Sequence, residues 1–258
     1  NRQNLFTLFA TFALLFCFTY SCNAKGKDKA KHVVFIGLDV GAHTAFPSRH
    51  AQCQKINGRR SLNIKETLCT SFVQCHQLGF YVHGSRTGTS RIYRVGSKTP
   101  ELPSRVLNQH GIFPTVFQLL RDARPEAEIG CLYEWEGIKY LVDTLSMSYH
   151  YHVADCNKTP KELGNMASDY IKENKALVAN ALTADHTGHT EGHDTPAYYT
   201  KLAELDTYIG QIVQAVKDAG ILDDTIFILT ADHGGIDKGH GGKTMQEMET
   251  PFIISGKN

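Results

Sequence analysis

The sequence predicts an α/β fold with a mostly parallel central sheet and helices on both faces. Three observations carry that expectation. Apolar runs of strand length stand at Val33 to Leu38, Ile129 to Tyr133, Leu177 to Leu182 and Thr225 to Leu229. A long amphipathic segment joins the last two, the spacing of a parallel strand pair with a crossover helix. Three of the four runs lead into an aspartate, Asp39, Asp185 or Asp232, at the strand ends where such sheets bind ligands.

Composition narrows the class. The 258 residues are 41% hydrophobic with a formal net charge of +1, enough chain for one large domain with a full core. The near-neutral balance gives no global attraction to nucleic acid or to an acidic membrane surface. An anionic substrate would have to be recognised locally.

The first segment differs from the rest. Leu5 to Phe18 is a nearly unbroken apolar run after Arg2, followed by Ser21-Cys22-Asn23-Ala24. That is the anatomy of a signal peptide over 1–24, and the run is shorter than the ~20 residues a spanning helix needs. The expected location is exported: periplasmic, extracellular or lipid-anchored, with the membrane met only through the signal or a lipid. Cys22 is the candidate lipid attachment site, although Thr19-Tyr20-Ser21 departs from the usual Leu-x-x-Cys pattern. No Met opens the chain, and a piece of a longer sequence is expected. Residues 25–258 are expected to form a single domain.

The strand Val33 to Leu38 ends in Asp39. A helix is predicted over Ile112 to Arg124, with Val116, Leu119 and Leu120 at helical spacing and Pro125 stopping it. The strand Ile129 to Tyr133 follows. Thr159 as N-cap and Pro160 at the first position open a helix running to about Lys175. Leu177 to Leu182 is a short strand leading to Asp185. Tyr198 to Ala219 is the clearest helix, with Leu202, Leu205, Ile209, Ile212, Val213 and Val216 on one face and Gly220 as the stop. Leu222-Asp223-Asp224 joins it to the strand Thr225 to Leu229. Of the seven cysteines, Cys131 and Cys156 lie outside the export segment and the anomalous stretch described below. They are either a disulfide or two buried thiols.

The residues that carry chemistry cluster in three motifs. Asp39 closes Gly37-Leu38-Asp39; Asp185 and His189 stand four apart in Asp185-His186-Thr187-Gly188-His189; Asp232 and His233 are adjacent in Thr230-Ala231-Asp232-His233-Gly234-Gly235. His240 sits between glycines in Gly239-His240-Gly241-Gly242. Carboxylate and imidazole together suit zinc and its neighbours, and paired ions about 4 Å apart can hold both oxygens of a phosphoryl transfer. Singly, each residue has a plainer reading: Asp39 as a helix N-cap, His189 on the surface, His186, His193 and His240 in loops. The order of the three motifs, each after an apolar strand, favours a split metal site.

On those motifs the chain resembles the alkaline phosphatase superfamily, and more narrowly its type I phosphodiesterase and nucleotide pyrophosphatase branch, over about residues 32–46 and 96–258. The resemblance implies an alkaline phosphatase-like fold and two zinc ions, other divalent metals being possible. Asp39, Asp232 and His233 would hold one ion; Asp185, His189 and His240 the other. It implies hydrolysis of a small-molecule phosphate ester in two displacements at phosphorus, begun by a Ser or Thr on a helix start some dozens of residues after the first Asp. The sulfatase motif Cys/Ser-x-Pro-x-Arg does not occur. Glu134, Trp135 and Glu136, just after a strand, are candidates for lining the substrate pocket.

The nucleophile is where the chain departs from that pattern. Residues 48–95 hold eight Lys and Arg against the single acid Glu66, three of the cysteines, and no strand or helix period. Codons read one base out of phase across Arg49 to Gly58 and Cys69 to Gly96 permit segments typical of the superfamily, so the frame is expected to be displaced from about Pro47 to Gly96. The nucleophile codon would then be split across Gln74 and Cys75. Thr70, Ser71 and Ser90 are the nearest hydroxyls, and none lies in a matching motif. The expected function is a metal-dependent phosphodiesterase or phosphatase impaired by this loss; the alternative is a non-catalytic metal-binding pseudoenzyme of the same fold. A closing helix after Pro251 to Asn258 is expected to be absent.

Overall fold

The fold was examined in a computed structural model, which describes residues 30–41, 62–67, 106–140, 142–153, 159–175, 177–242 and 244–256. Its centre is a seven-stranded mixed sheet. In chain order the strands are β1 (His32–Gly41), β2 (Leu62–Thr67), β3 (Ile129–Tyr133), β4 (Tyr149–His152), β5 (Leu177–Thr183), β6 (Thr225–His233) and β7 (Glu249–Gly256). The helices are α1 (Val116–Ala123), α2 (Thr159–Asn174), α3 (Asp185–Glu191), α4 (Pro196–Asp218) and α5 (Met245–Met248). Across the sheet the order is β2-β7-β6-β1-β5-β3-β4.

β1 takes the middle because it can be buried on both faces. Val34, Ile36 and Leu38 are buried in the main core, while Phe35 packs against a second cluster on the opposite face. A strand without a polar face is stable only between two layers. It pairs in parallel with β5, Val34 beside Val178, and with β6, Val34 beside Phe227. β3 divides the same way: Leu132 joins the main core, and Ile129, Cys131 and Tyr133 join the second cluster with Phe117 of α1. The predicted layers on both faces are therefore present. The parallel core is β6, β1, β5, β3 and β4; only β7 and its partner β2 add antiparallel pairs at one edge.

α4 buries all six residues expected to form its apolar face. It starts two residues earlier than its periodicity implied, because Pro196 is accepted at the first position and the Thr195 hydroxyl caps the Tyr198 amide at 3.3 Å. α2 lies against it; a Cβ on Gly164 would stand 3.0 Å from Tyr208 Cβ. α2 begins at Thr159 itself, so Thr159 is inside the first turn instead of capping it. β6 runs four residues beyond its predicted end and carries Asp232 and His233 in the strand.

Other expectations need correction. α1 spans only Val116–Ala123, capped by Thr115, and its buried residues are Phe117 and Gln118, whereas Val116 and Leu119 are 51% and 60% exposed. Of the three expected apolar residues only Leu120 packs against the second cluster; Phe117 takes the place expected of Val116 and Leu119, since one aromatic outweighs two smaller side chains in buried area. Residues 62–67 form β2 inside the stretch expected to hold no strand. Leu62-Asn63-Ile64-Lys65 does alternate apolar and polar, and β7 offers an edge whose backbone groups need partners. β4 was not foreseen because Tyr149-His150-Tyr151-His152 has no apolar run; it is a short edge strand on β3. Cys131 is a free thiol that burial pushes up to about 12; Cys156 lies outside the described residues. So do the apolar run Leu5 to Phe18 and Cys22; among the described residues no helix is long and apolar enough to cross a membrane.

Ile36 is fully buried at the centre of β1. Ile36→Ala should therefore cost about 2–5 kcal/mol in urea unfolding. A loss within ~0.5 kcal/mol, as at surface sites, would contradict its placement.

Candidate metal centre

The parallel core delivers its acids to one edge. Asp39 stands near the carboxyl end of β1, Asp232 and His233 at that of β6, and Asp185 opens α3 two residues after β5. Backbone ties fix their relative positions. The Ala184 amide donates to Asp39 O at 2.9 Å, the Thr183 hydroxyl donates to the same carbonyl at 3.1 Å, and the Asp185 amide donates to the Thr183 hydroxyl at 3.2 Å. The β1–β6 register is interrupted between Leu38 and Gly41, an irregularity of the kind that re-aims side chains beside sites.

The glycines after β6 are needed for close approach. A Cβ on Gly234 would stand 1.8 Å from Gln246 O, and the Gly234 amide donates to Glu247 O at 2.8 Å, tying the end of β6 to α5. α5 is held in turn by a capping box between Thr244 and Glu247.

Two groups of ligand atoms result, each within 4.8 Å: Asp39, Asp232 and His233, and Asp185, His233 and His240. His233 Nε2 is 3.6 Å from Asp39 Oδ1 and 3.6 Å from Asp232 Oδ2. Asp185 Oδ1 is 3.6 Å from His240 Nε2, and Asp185 Oδ2 is 3.2 Å from His189 Nε2. His189 Nε2 lies 3.1 Å from His240 Nε2, so His189 adjoins the second group. Ligands of an ion bonded at about 2.0–2.1 Å in tetrahedral array stand about 3.3 Å apart. The observed separations bracket that value.

Tautomers support the same direction. His233 Nδ1 donates to Gly234 O at 2.8 Å, and His189 Nδ1 donates to Lys238 O at 3.0 Å. Each ring thus turns its Nε2 inward, the arrangement by which backbone carbonyls orient metal-binding imidazoles. Asp232 Oδ1 and His233 Nε2 are buried without a hydrogen-bond partner among the described residues. Buried polar atoms left so are costly unless something binds them. The donor set of three carboxylates and three imidazoles fits a divalent ion such as zinc.

Electrostatics show how far the site is from balance. Burial, then the neighbouring Asp39 charge, raise the Asp232 carboxyl well above its ordinary range. Burial disfavours the charged His233 ring, but Asp232, Asp39 and Asp185 outweigh it and push the imidazole up to about 10. Burial and the His233 charge hold His240 down at about 4.

Sequence reasoning placed His193 among loop residues, yet it is buried against the centre. Its amide and Nδ1 both donate to Asp237 O, at 2.6 and 3.0 Å, and its ring fills the space a Cβ on Gly188 or Gly235 would need. It pins the turn before His240 onto the end of α3. The spacing Asp185, His189, His193, four residues each, was the available signal. Tyr198 was also missed as a site residue. It is buried, its hydroxyl has no partner among the described residues, and burial, then Asp185, Asp232 and Asp39, raise its pKa. His186 is exposed. Thr70, Ser71, Ser90, Gln74 and Cys75 lie outside the described residues.

Sheet order and helical layers give an alkaline phosphatase-like fold, the fold implied by the resemblance to the alkaline phosphatase superfamily. Solved structures with this fold include a protein of that superfamily from Vibrio parahaemolyticus (TM-score 0.58, 15% identity, 90% of this chain and 61% of that one). A 2-O GAG sulfatase gives TM-score 0.65 at 11% identity, over 88% of this chain and 64% of that one. Murine ectonucleotide pyrophosphatase/phosphodiesterase 5 gives 0.58 at 14%, over 79% and 57%. In sequence, the sulfatase family profile matches residues 145–258, which hold Asp185, His189, Asp232, His233 and His240. GPI ethanolamine phosphate transferase 3 of Schizosaccharomyces pombe is 31% identical over 122 residues, 46% of this chain. The match spans only 13% of that transferase's length.

Gly234→Ala should force β6 away from α5 and lower the melting temperature by roughly 4–8 °C. Gly239→Ala, which meets nothing within 4 Å, should leave it unchanged. Equal melting curves for the two variants would contradict the close approach at Gly234.

Proposed function

We propose that this chain forms a two-metal centre for cleaving phosphoric esters, with Asp39, Asp232 and His233 on one ion and Asp185, His189 and His240 on the other. The observation that carries the reading is the meeting of all six side chains at ligand separations, with the buried Asp232 Oδ1 and His233 Nε2 lacking a hydrogen-bond partner among the described residues. When bound, the ions polarise phosphoryl oxygens and neutralise charge on the leaving oxygen. The chain's own part is to hold the ligands rigidly. Carbonyls fix the His189 and His233 rings, and His193 keeps the 236–240 turn against α3.

The expected Ser or Thr nucleophile belongs to a segment outside the described residues, where the displaced frame leaves no matching motif. The proposed state of this chain is therefore a metal-binding phosphoester site with impaired turnover, exported and acting on a small-molecule phosphate ester. A second reading is favoured by the transferase relative: the phosphoryl group, with its alcohol, passes to an acceptor hydroxyl instead of water.

Zinc should raise the melting temperature of the chain, and Asp232→Asn should abolish most of that rise. With zinc, a version repaired between Pro47 and Gly96 should turn over p-nitrophenyl phosphate or its bis ester at least about 10³-fold faster than the chain as it stands. Equal rates would overturn the nucleophile account. Absence of any zinc-dependent stabilisation would overturn the metal site, and stabilisation without turnover in the repaired chain would favour a pseudoenzyme.

A further inference from the structure

Of the six proposed ligands only His240 belongs to a loop; the others stand in β1, β6 and α3. The loop joins the end of β6 to α5, and Gly239, Gly241 and Gly242 adjoin the histidine. Gly241 has a φ of +89°, which glycine adopts readily and other residues do not. Lys238 O and Gly234 O orient the His189 and His233 rings, but no carbonyl among the described residues accepts from the His240 ring. That ring stacks on His233 with centroids 3.8 Å apart. Its place at the centre is therefore set by the backbone that carries it.

Contacts fix that backbone on both sides of His240. Before it, Ile236 and Gly239 exchange bonds at 2.9 and 3.0 Å, and the turn is fastened to α3 by His193 and by Lys238 Nζ, which donates to Thr190 O at 2.6 Å. After it comes one buried side chain, Glu247. Its Oε1 accepts from the Gly242 amide at 2.8 Å, and its Oε2 accepts from the Thr244 hydroxyl at 2.6 Å and the Thr244 amide at 3.3 Å. The bonds to Thr244 serve the cap of α5, but the bond to Gly242 reaches two residues further back towards His240. The carboxylate occupies the space a side chain at Gly242 would need, since a Cβ there would stand 2.4 Å from Oε2. The carbonyl of the same residue takes the Gly234 amide. Glu247 thus holds the β6 end of the loop by its backbone and the His240 end by its carboxylate.

We propose that Glu247 is a positioning residue for the second ion of the centre: by gripping Gly242 it holds His240 against Asp185 and His189. His240 Nε2 stands 3.6 Å from Asp185 Oδ1 and 3.1 Å from His189 Nε2, separations that a loop free after Gly239 would not keep. The first ion's ligands on β6 depend on Glu247 only through its backbone carbonyl, which any residue supplies. Loss of the side chain therefore separates the two ions. The inference rests on the two-metal reading above.

The test is a zinc titration of the full chain by calorimetry, read as the number of ions and the affinity of each. The wild type should take two. Glu247→Ala should weaken one ion by about 10- to 100-fold and leave the other unchanged. Gly242→Ala, which displaces the carboxylate by collision, should show the same selective loss. Glu247→Gln should restore wild-type binding, because its amide can accept from Gly242 and donate to the Thr244 hydroxyl. In a His240→Ala background, Glu247→Ala should change neither ion further, since it acts through the residue already removed. Equal weakening of both ions, no weakening of either, or a further loss in the His240→Ala background would overturn the positioning role alone. A wild type that takes fewer than two ions would overturn the two-metal reading together with it.

Discussion

Asp39, Asp185 and Asp232 converge at one edge of a parallel sheet, in an environment too dry to screen them, and the rest of the structure answers that constraint. Like charges in partial burial repel strongly, and carboxyls so placed either take up protons or acquire compensating positive charge. His233 supplies part of it, which is why its ring is pushed up to about 10. Neighbouring imidazoles cannot all help in this way. His240 is held down at about 4 once His233 is charged, so protons alone leave the cluster unevenly neutralised. Divalent cations, as proposed for this centre, would resolve the conflict, because carboxylates and neutral imidazoles are ligands to the same ion instead of competitors for protons.

The scaffold serves this arrangement by being unable to relax. β1 is anchored by residues buried on both sides, and its Asp39 carbonyl accepts from the Ala184 amide and the Thr183 hydroxyl beside it. The end of β6 is clamped against α5 at Gly234. His193 fastens the turn preceding His240 by two donations to one carbonyl. Each acid is therefore presented by backbone that cannot swing away, the preorganisation that a site stabilising charge requires.

Much of this was legible in the sequence. Apolar runs placed β1, β3, β5 and β6, three of them leading into aspartates, and the helical spacing of six apolar residues from Leu202 to Val216 identified the buried face of α4. Asp39, Asp185, His189, Asp232, His233 and His240 were all singled out, and the structure brings them together. What escaped notice depends on contacts distant in the chain. β4 is a strand only because β3 offers it an edge, and β2 only because β7 does. Phe117 replaced Val116 and Leu119 as the buried face of α1 because a pocket lined by Ile129, Cys131 and Tyr133 awaits it. Tyr198 carries no motif and His193 only a four-residue spacing; a buried polar atom in each, Tyr198 Oη and His193 Nε2, without a hydrogen-bond partner among the described residues is what marks them.

The proposed centre holds paired ions by nitrogen and oxygen ligands alone. X-ray absorption at the zinc edge, on protein loaded to saturation, tests this most directly. It should show two zinc ions per chain, a first shell of nitrogen and oxygen at about 2.0–2.1 Å, and zinc–zinc scattering near about 4 Å. A sulfur shell near about 2.3 Å, or a single ion without a metal neighbour, would contradict it.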